Sequence, residues 1–143
     1  RLARWGHSGH EPGSLSGITA MTVSPDGTVV ITTALTDLAV QMFAPNGDYI
    51  HGFGRHDIGP GNFSMPSGIA ITADGRIWVT DEIRQKVQVF SKDGTYQGAV
   101  GGKGFGPGEF LYPNGIASDG LDRLAITERL GNRVQLWRVQ LSP

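Results

Sequence analysis

The chain has 143 residues, a net charge of −1 and 17% charged residues, which excludes the strongly basic surface that nucleic acid or an anionic membrane selects. It has no Cys, so a disulfide framework and a thiolate metal site are excluded too. Its 22 Gly and 8 Pro suit a turn-rich all-β chain, and no apolar run approaches the ~20 residues that a membrane-spanning helix needs.

Taken in order, residues 1–5 read as an outer strand, because Leu2-Ala3-Arg4-Trp5-Gly6 aligns with the later strand ending in Phe53-Gly54. Residues 6–53 form a first unit, whose third strand is Val40-Gln41-Met42-Phe43. Residues 54–100 form the clearest unit. Ile69–Thr72 is a β-branched run, Asp74-Gly75 a tight turn, Arg76–Thr80 a second strand and Lys86–Phe90 a third. Asp93-Gly94 then turns into a more polar fourth strand, Thr95–Val100. Residues 101–143 repeat the pattern, with a first turn displaced by Asp119-Gly120-Leu121-Asp122, and stop after a third strand at Arg133–Val139.

The units are copies of one another. Pro60-Gly61-Asn62-Phe63-Ser64-Met65-Pro66-Ser67-Gly68-Ile69-Ala70 returns 47 residues later as Pro107-Gly108-Glu109-Phe110-Leu111-Tyr112-Pro113-Asn114-Gly115-Ile116-Ala117. Val87-Gln88-Val89-Phe90 returns as Val134-Gln135-Leu136-Trp137. A fixed period of 47 to 48 residues marks a repeat architecture. Four-stranded antiparallel units, apolar on both faces of their inner strands and polar at the outer edge, are the blades of a β-propeller. The predicted fold is therefore all-β, with about three blades in this chain.

The copies resemble the NHL repeat. The resemblance rests on the Gly-Pro-Gly lead-ins at Gly59 and Gly106, the Pro-x-Gly-Ile-Ala strands at Pro66 and Pro113, Val79-Thr80-Asp81, and Asn132-Arg133-Val134-Gln135-Leu136-Trp137. It covers nearly the whole chain and implies a six-bladed ring. The first copy departs from it, with Ile18, Thr33 and Ala39 where later copies have Pro, an acid and a base. Because the acid and base appear together, Asp81/Lys86 and Glu128/Arg133 are expected to be structural pairs. Twelve strands in this phase leave the last blade without its outer strand. A second copy of the chain, or further blades of a longer one, is expected to supply it.

Loops that enter the first strand and loops that join the second to the third share one face of a propeller, and binding concentrates on such loops. Arg55, His56, Arg84, Lys103, Asn114 and Arg129 are the binding candidates there, with His7 and His10 as solvated loop residues. The positions able to face the axis hold Thr19, Ser67 and Asn114, and none is His. No catalytic residue, metal ligand or cofactor is expected. The expected function is a non-catalytic scaffold binding a protein or small ligand through this loop face. The alternative that the resemblance leaves open is a propeller enzyme, zinc-dependent lyase-like or calcium-dependent hydrolase-like, whose axial metal is shared with blades outside this chain. The basic loop residues are interleaved with Glu11, Asp57, Glu82, Glu109 and Glu128, so no RNA partner is expected. The absence of Cys fits an extracytoplasmic bacterial protein, the location favoured here, and also fits many cytosolic ones, so the sequence leaves the location open.

Overall fold

A computed structural model describes residues 2–143. Arg1, the first residue of the expected outer strand, lies outside the described residues. Three antiparallel sheets follow one another along the chain. The first runs β1 (Ile18–Val23), β2 (Val29–Thr33), β3 (Val40–Phe43), β4 (Tyr49–Phe53) in spatial order. The second runs β5 (Pro66–Ile71), β6 (Ile77–Asp81), β7 (Lys86–Phe90), β8 (Tyr96–Gly101). The third has β9 (Pro113–Ser118), β10 (Arg123–Glu128) and β11 (Arg133–Arg138), with β10 in the middle.

Local chemistry makes these meanders. At Ser24-Pro25-Asp26-Gly27 the Gly27 amide donates to the Ser24 carbonyl at 2.9 Å, and Asp26 Oδ1 accepts from the Thr28 amide at 3.0 Å. Thr72–Arg76 and Ser91–Thr95 close in the same way through Asp74 and Asp93. An Asx side chain thus takes the place of a ladder bond where the strand must reverse. The first strand of the middle sheet begins at Pro66, three residues before the run the sequence suggests. The ladder slips there, between Pro66↔Asp81 and Gly68↔Thr80. A proline has no amide to give to the ladder and is tolerated at a strand's first residue, so a bulge next to it is the natural accommodation.

Each pair of neighbouring sheets encloses its own core. Val30, Met42 and Phe53 meet Phe63, Ile69, Ile77, Val79 and Phe90 between the first and second sheets. Ala70, Trp78, Val87 and Val89 meet Phe110, Leu124, Ile126 and Val139 between the second and third. Fully buried side chains of this kind contribute on the order of 2 kcal/mol each, so stacking is what holds the sheets. The aromatic positions recur. The Phe63 and Phe90 rings lie 5.7 Å apart, and those of Phe110 and Trp137 lie 5.9 Å apart.

Leu2–Trp5 forms no strand. Its end nevertheless sits as the repeat requires. Trp5 lies 5.2 Å from Phe43 just as Phe53 lies 4.7 Å from Phe90. Each ring also presses on a turn glycine, Gly47 or Gly94, where a Cβ would come within 2.4 Å of it. Both glycines have positive φ, so the turn and the contact together admit no side chain. At the other end the chain leaves β11 without turning back. Val139 donates to the Asp122 carbonyl at 2.8 Å, and Ser142 donates to Asp74 Oδ2 at 2.8 Å.

Candidate functional site

The long loops gather at one end of the stack, and a repeated set of side chains clasps them. In each sheet a glutamine from the third strand forks into the preceding loop. Gln41 accepts from the Gly13 amide at 2.7 Å and donates to the Ser14 carbonyl at 2.8 Å. Gln88 does the same with Gly61 and Asn62 at 3.0 and 2.7 Å, and Gln135 with Gly108 and Glu109 at 3.3 and 2.7 Å. Gln41 and Gln88 are buried, so these are satisfied polar groups inside the stack.

A carboxylate completes two of the clasps. Fully buried Asp81 accepts from the amides of Ser64 at 2.8 Å and of Met65 and Arg84 at 3.1 Å. Buried Glu128 accepts from the Leu111 amide at 2.8 Å and from Arg133 and Gln135. Burial pushes the Glu128 carboxyl up, but these donors outweigh it and hold it below the ordinary glutamate value.

The cation that meets Asp81 differs from the sequence expectation. Lys86 stands opposite Asp81 in the ladder, yet the ion pair is made by Arg84, with Nε 3.7 Å from Oδ2. Arg84 also donates to the carbonyls of Asp57, Gly59 and Asn62 and to Ser64 Oγ. In the third sheet Arg133 reaches the carbonyls of Phe105, Gly106 and Glu109. The same job is thus done from three residues after the acid in one sheet and five in the next. A guanidinium spans several carbonyls with its planar fork, which an ammonium does not.

The candidates divide accordingly. Arg84 is half-buried and engaged by the loop it holds. Arg129 pairs with Glu82, whose Oε1 is shut from water, and lies 5.7 Å over the Tyr112 ring. Asn114 Oδ1 accepts from Thr127 Oγ1 at 2.9 Å, matching Ser67–Thr80 at 3.0 Å and Thr19–Thr32 at 2.8 Å. Arg55, His56 and Lys103 are exposed on the same end. His10 Nδ1 donates to the Leu35 carbonyl at 2.8 Å, and His7 Nε2 lies 3.3 Å from Ser14 Oγ. Among the described residues no three His, Cys, Asp or Glu side chains group as a metal site.

A further depression lies at the opposite end, where the tight turns are. A groove of about 1070 Å³ runs between the first and second sheets. Val30, Met42, Ile71 and Ile77 supply apolar lining, and exposed Ile50 stands on one wall. Asp26, Asp74, Asp93, Lys92 and His51 are the charged or titratable side chains around it. The Ser24 hydroxyl and the Thr28 amide hold Asp26 down to about 2. Burial raises Asp74, but the Ser142 amide, Thr72 and Arg76 bring it to about 2 as well. Asp93 is lowered by Ser91 and the Thr95 amide. All three are carboxylates at neutral pH, and Lys92 stands 3.9 Å from Asp26.

Residues 67–135 match the profile of a family described as a 6-bladed β-propeller. The fold is a β-propeller. Solved structures agree at the level of the backbone. A protein of unknown function from Bacteroides thetaiotaomicron superposes with a TM-score of 0.62 at 19% identity, covering 80% of this chain and 33% of that one. The calcium-binding protein regucalcin from Agrobacterium tumefaciens gives 0.61 at 16% identity, covering 91% and 50%. A catalytically inactive virginiamycin B lyase from Staphylococcus aureus, with quinupristin, gives 0.58 at 19% identity, covering 89% and 43%. The chain thus spans between a third and a half of the length of these propellers. No curated protein sequence matches it. The blades explain the two ends: strand entries and second-to-third crossings crowd one face, and hairpin turns the other.

Proposed function

We propose that this propeller segment is a non-catalytic binding scaffold, and that its binding surface is the turn-face groove rather than the loop face. The observation that carries the reading is the groove itself, an apolar trough between two stacked blades, rimmed by carboxylates that stay ionised. A pocket with an apolar lining and a few fixed polar groups is where small ligands and side chains bind. The Asp74 side chain is buried and paired with Arg76, so it is the exposed carboxylates Asp26 and Asp93 that favour an apolar body carrying a positive charge. Arg84, Arg129 and Asn114 on the loop face are committed to partners within the fold, as Asp26, Asp74 and Asp93 are to their turns, and what favours the turn face is the open apolar trough between the blades.

The test compares 4-phenylbutylamine with 4-phenylbutyrate in thermal melts. The amine raises the melting temperature with dose, the carboxylate does not, and Ile50→Glu with Asp26→Asn removes the effect. Equal responses to both compounds, or an unaltered response in the double variant, contradict the reading. We take the blades as NHL-type on the support of the Pro66 and Pro113 strand starts and the recurring Val-Gln third strand. The enzyme alternative draws on likeness of fold alone, which does not carry function. Stoichiometric zinc or calcium in the purified protein would put it in place of the scaffold.

A further inference from the structure

Taking the turn-face groove as the binding surface, as proposed above, we propose that Asp26 is its ammonium site and that Lys92 is a tethered competitor there, which the ammonium of a small ligand displaces on entry. Asp26 and Lys92 stand on different blades. Asp26 lies in the turn between β1 and β2, and Lys92 in the turn between β7 and β8. Both line the groove, and Lys92 Nζ lies 3.9 Å from Asp26 Oδ2. The pair therefore ties one wall of the groove to the other. It is open to water, with 78% of the Lys92 side chain and 54% of the Asp26 side chain exposed. Exposed ion pairs contribute little to stability, so a ligand that also fills the apolar trough can break this one. The Ser24 hydroxyl and the Thr28 amide keep Asp26 ionised whether or not Lys92 is in place.

The repeat shows that neither residue is there for the blade alone. Asp74, the counterpart of Asp26, has a base in its own turn, with Arg76 Nε 2.6 Å from its Oδ2. The counterpart of Arg76 in the first blade is Thr28, which meets Asp26 with an uncharged amide. The cation for Asp26 comes instead from the next blade. Position 92 departs from the repeat in the complementary way. Its counterpart in the first blade is Pro45. Both residues cover the glycine of the neighbouring turn. A Cβ at Gly27 would lie 3.2 Å from Pro45 Cγ, and one at Gly75 would lie 3.4 to 3.7 Å from the Cβ, Cγ and Cδ atoms of Lys92. That packing needs the apolar stem alone, as Pro45 demonstrates. The ammonium beyond the stem is carried across to Asp26. Two departures from the repeat, one on each wall, thus meet at one contact. Lys92 also shows the chemistry that fits, a primary ammonium on a flexible four-carbon stem. 4-Phenylbutylamine has the same stem and ammonium, and its ring adds an apolar body for the lining of Val30, Met42, Ile71 and Ile77.

Calorimetric titration with 4-phenylbutylamine tests the competition. Lys92→Met keeps the stem over Gly75 and removes the charge, at an exposed turn position where the fold is indifferent to it. It is expected to bind the amine about two- to fivefold more tightly than the unaltered protein, the worth of an exposed ion pair. In an Asp26→Asn background the same change is expected to gain nothing, because the site Lys92 guards is gone. Lys103→Met alters the net charge equally on the loop face and is expected to leave the affinity unchanged. Equal affinities for the unaltered protein and Lys92→Met overturn the competitor role while the groove reading stands. A gain that survives Asp26→Asn, or that Lys103→Met reproduces, overturns it too, since loss of positive charge and not release of Asp26 is then the cause. Binding in none of the variants overturns both the competitor role and the groove reading.

Discussion

Asp81 gives the sharpest test of what holds the loop face together. It is fully buried and accepts from three backbone amides, those of Ser64, Met65 and Arg84. Replacing it with Ala leaves three donors without their charged acceptor, and an orphaned buried donor costs about 1–3 kcal/mol. Ser64 is exposed and the other two residues are half-buried, so water relieves part of the loss. Taking the low end of that range for each amide gives a destabilisation of about 3 kcal/mol. For a domain of this size that corresponds to a fall in melting temperature of about 6–12 °C. Asp81→Asn keeps the shape but turns an amide group towards amide donors, so it should lose about 2 kcal/mol or more. Asp81→Glu uses the residue that the third blade has at this place, Glu128, and should lose less than either. Urea unfolding followed by tryptophan fluorescence measures all three. If Asp81→Asn unfolds within about 0.5 kcal/mol of the unaltered protein, as an ordinary surface change does, the clasp is not what fixes the loops.

Three further outcomes follow from neighbouring contacts. Lys86→Ala should leave stability within about 0.5 kcal/mol, whereas Arg84→Ala should lower it by more than 1 kcal/mol, because of the two it is Arg84 that ties the Asp57–Ser64 loop. The same urea series separates them. Gln88→Leu keeps the bulk but orphans the Gly61 amide and leaves the Asn62 carbonyl to Arg84 alone, so it should cost about 1–3 kcal/mol and speed amide exchange at Gly61 in particular. The folded-state pKa of Asp74 lies near 2, below its ordinary 3.8, so its contribution is fully present above the ordinary value and disappears as pH falls through about 2. The stability difference between the unaltered protein and Asp74→Asn should therefore be constant above about pH 5, shrink as pH falls, and lose its charge-dependent part only below about pH 2. A difference that does not change with pH would show that the carboxylate contributes no charge-dependent stability.

The fold was legible because repetition supplies its own control. One Asp-Gly turn is a weak signal, but the same turn, strand and Val-Gln pair recurring at a fixed spacing leave few architectures. Much of the site was not legible, for physical reasons that differ from residue to residue. Gln41, Gln88 and Gln135 recur in plain sight, yet a polar residue in a strand does not announce whether it faces water or forks into a loop. Arg84 and Arg133 reach equivalent carbonyls from different offsets, so alignment by column pairs Asp81 with Lys86, while the structure pairs it with Arg84. Asp26, Asp74 and Asp93 read as turn residues, which they are. Their second role, rimming a groove, appears only when two blades stack. Ile50 was the one available hint, an apolar residue in a strand whose neighbours are polar and whose side chain is left exposed.

The central claim, that the turn face and not the loop face binds, is tested most directly by mapping amide chemical shifts during titration with 4-phenylbutylamine. The account predicts shifts concentrated in Ser24–Val30, Ile71–Ile77 and Ser91–Asp93, with Arg55, His56 and Lys103 unmoved. Shifts centred on those three loop residues, with the turns silent, would contradict it.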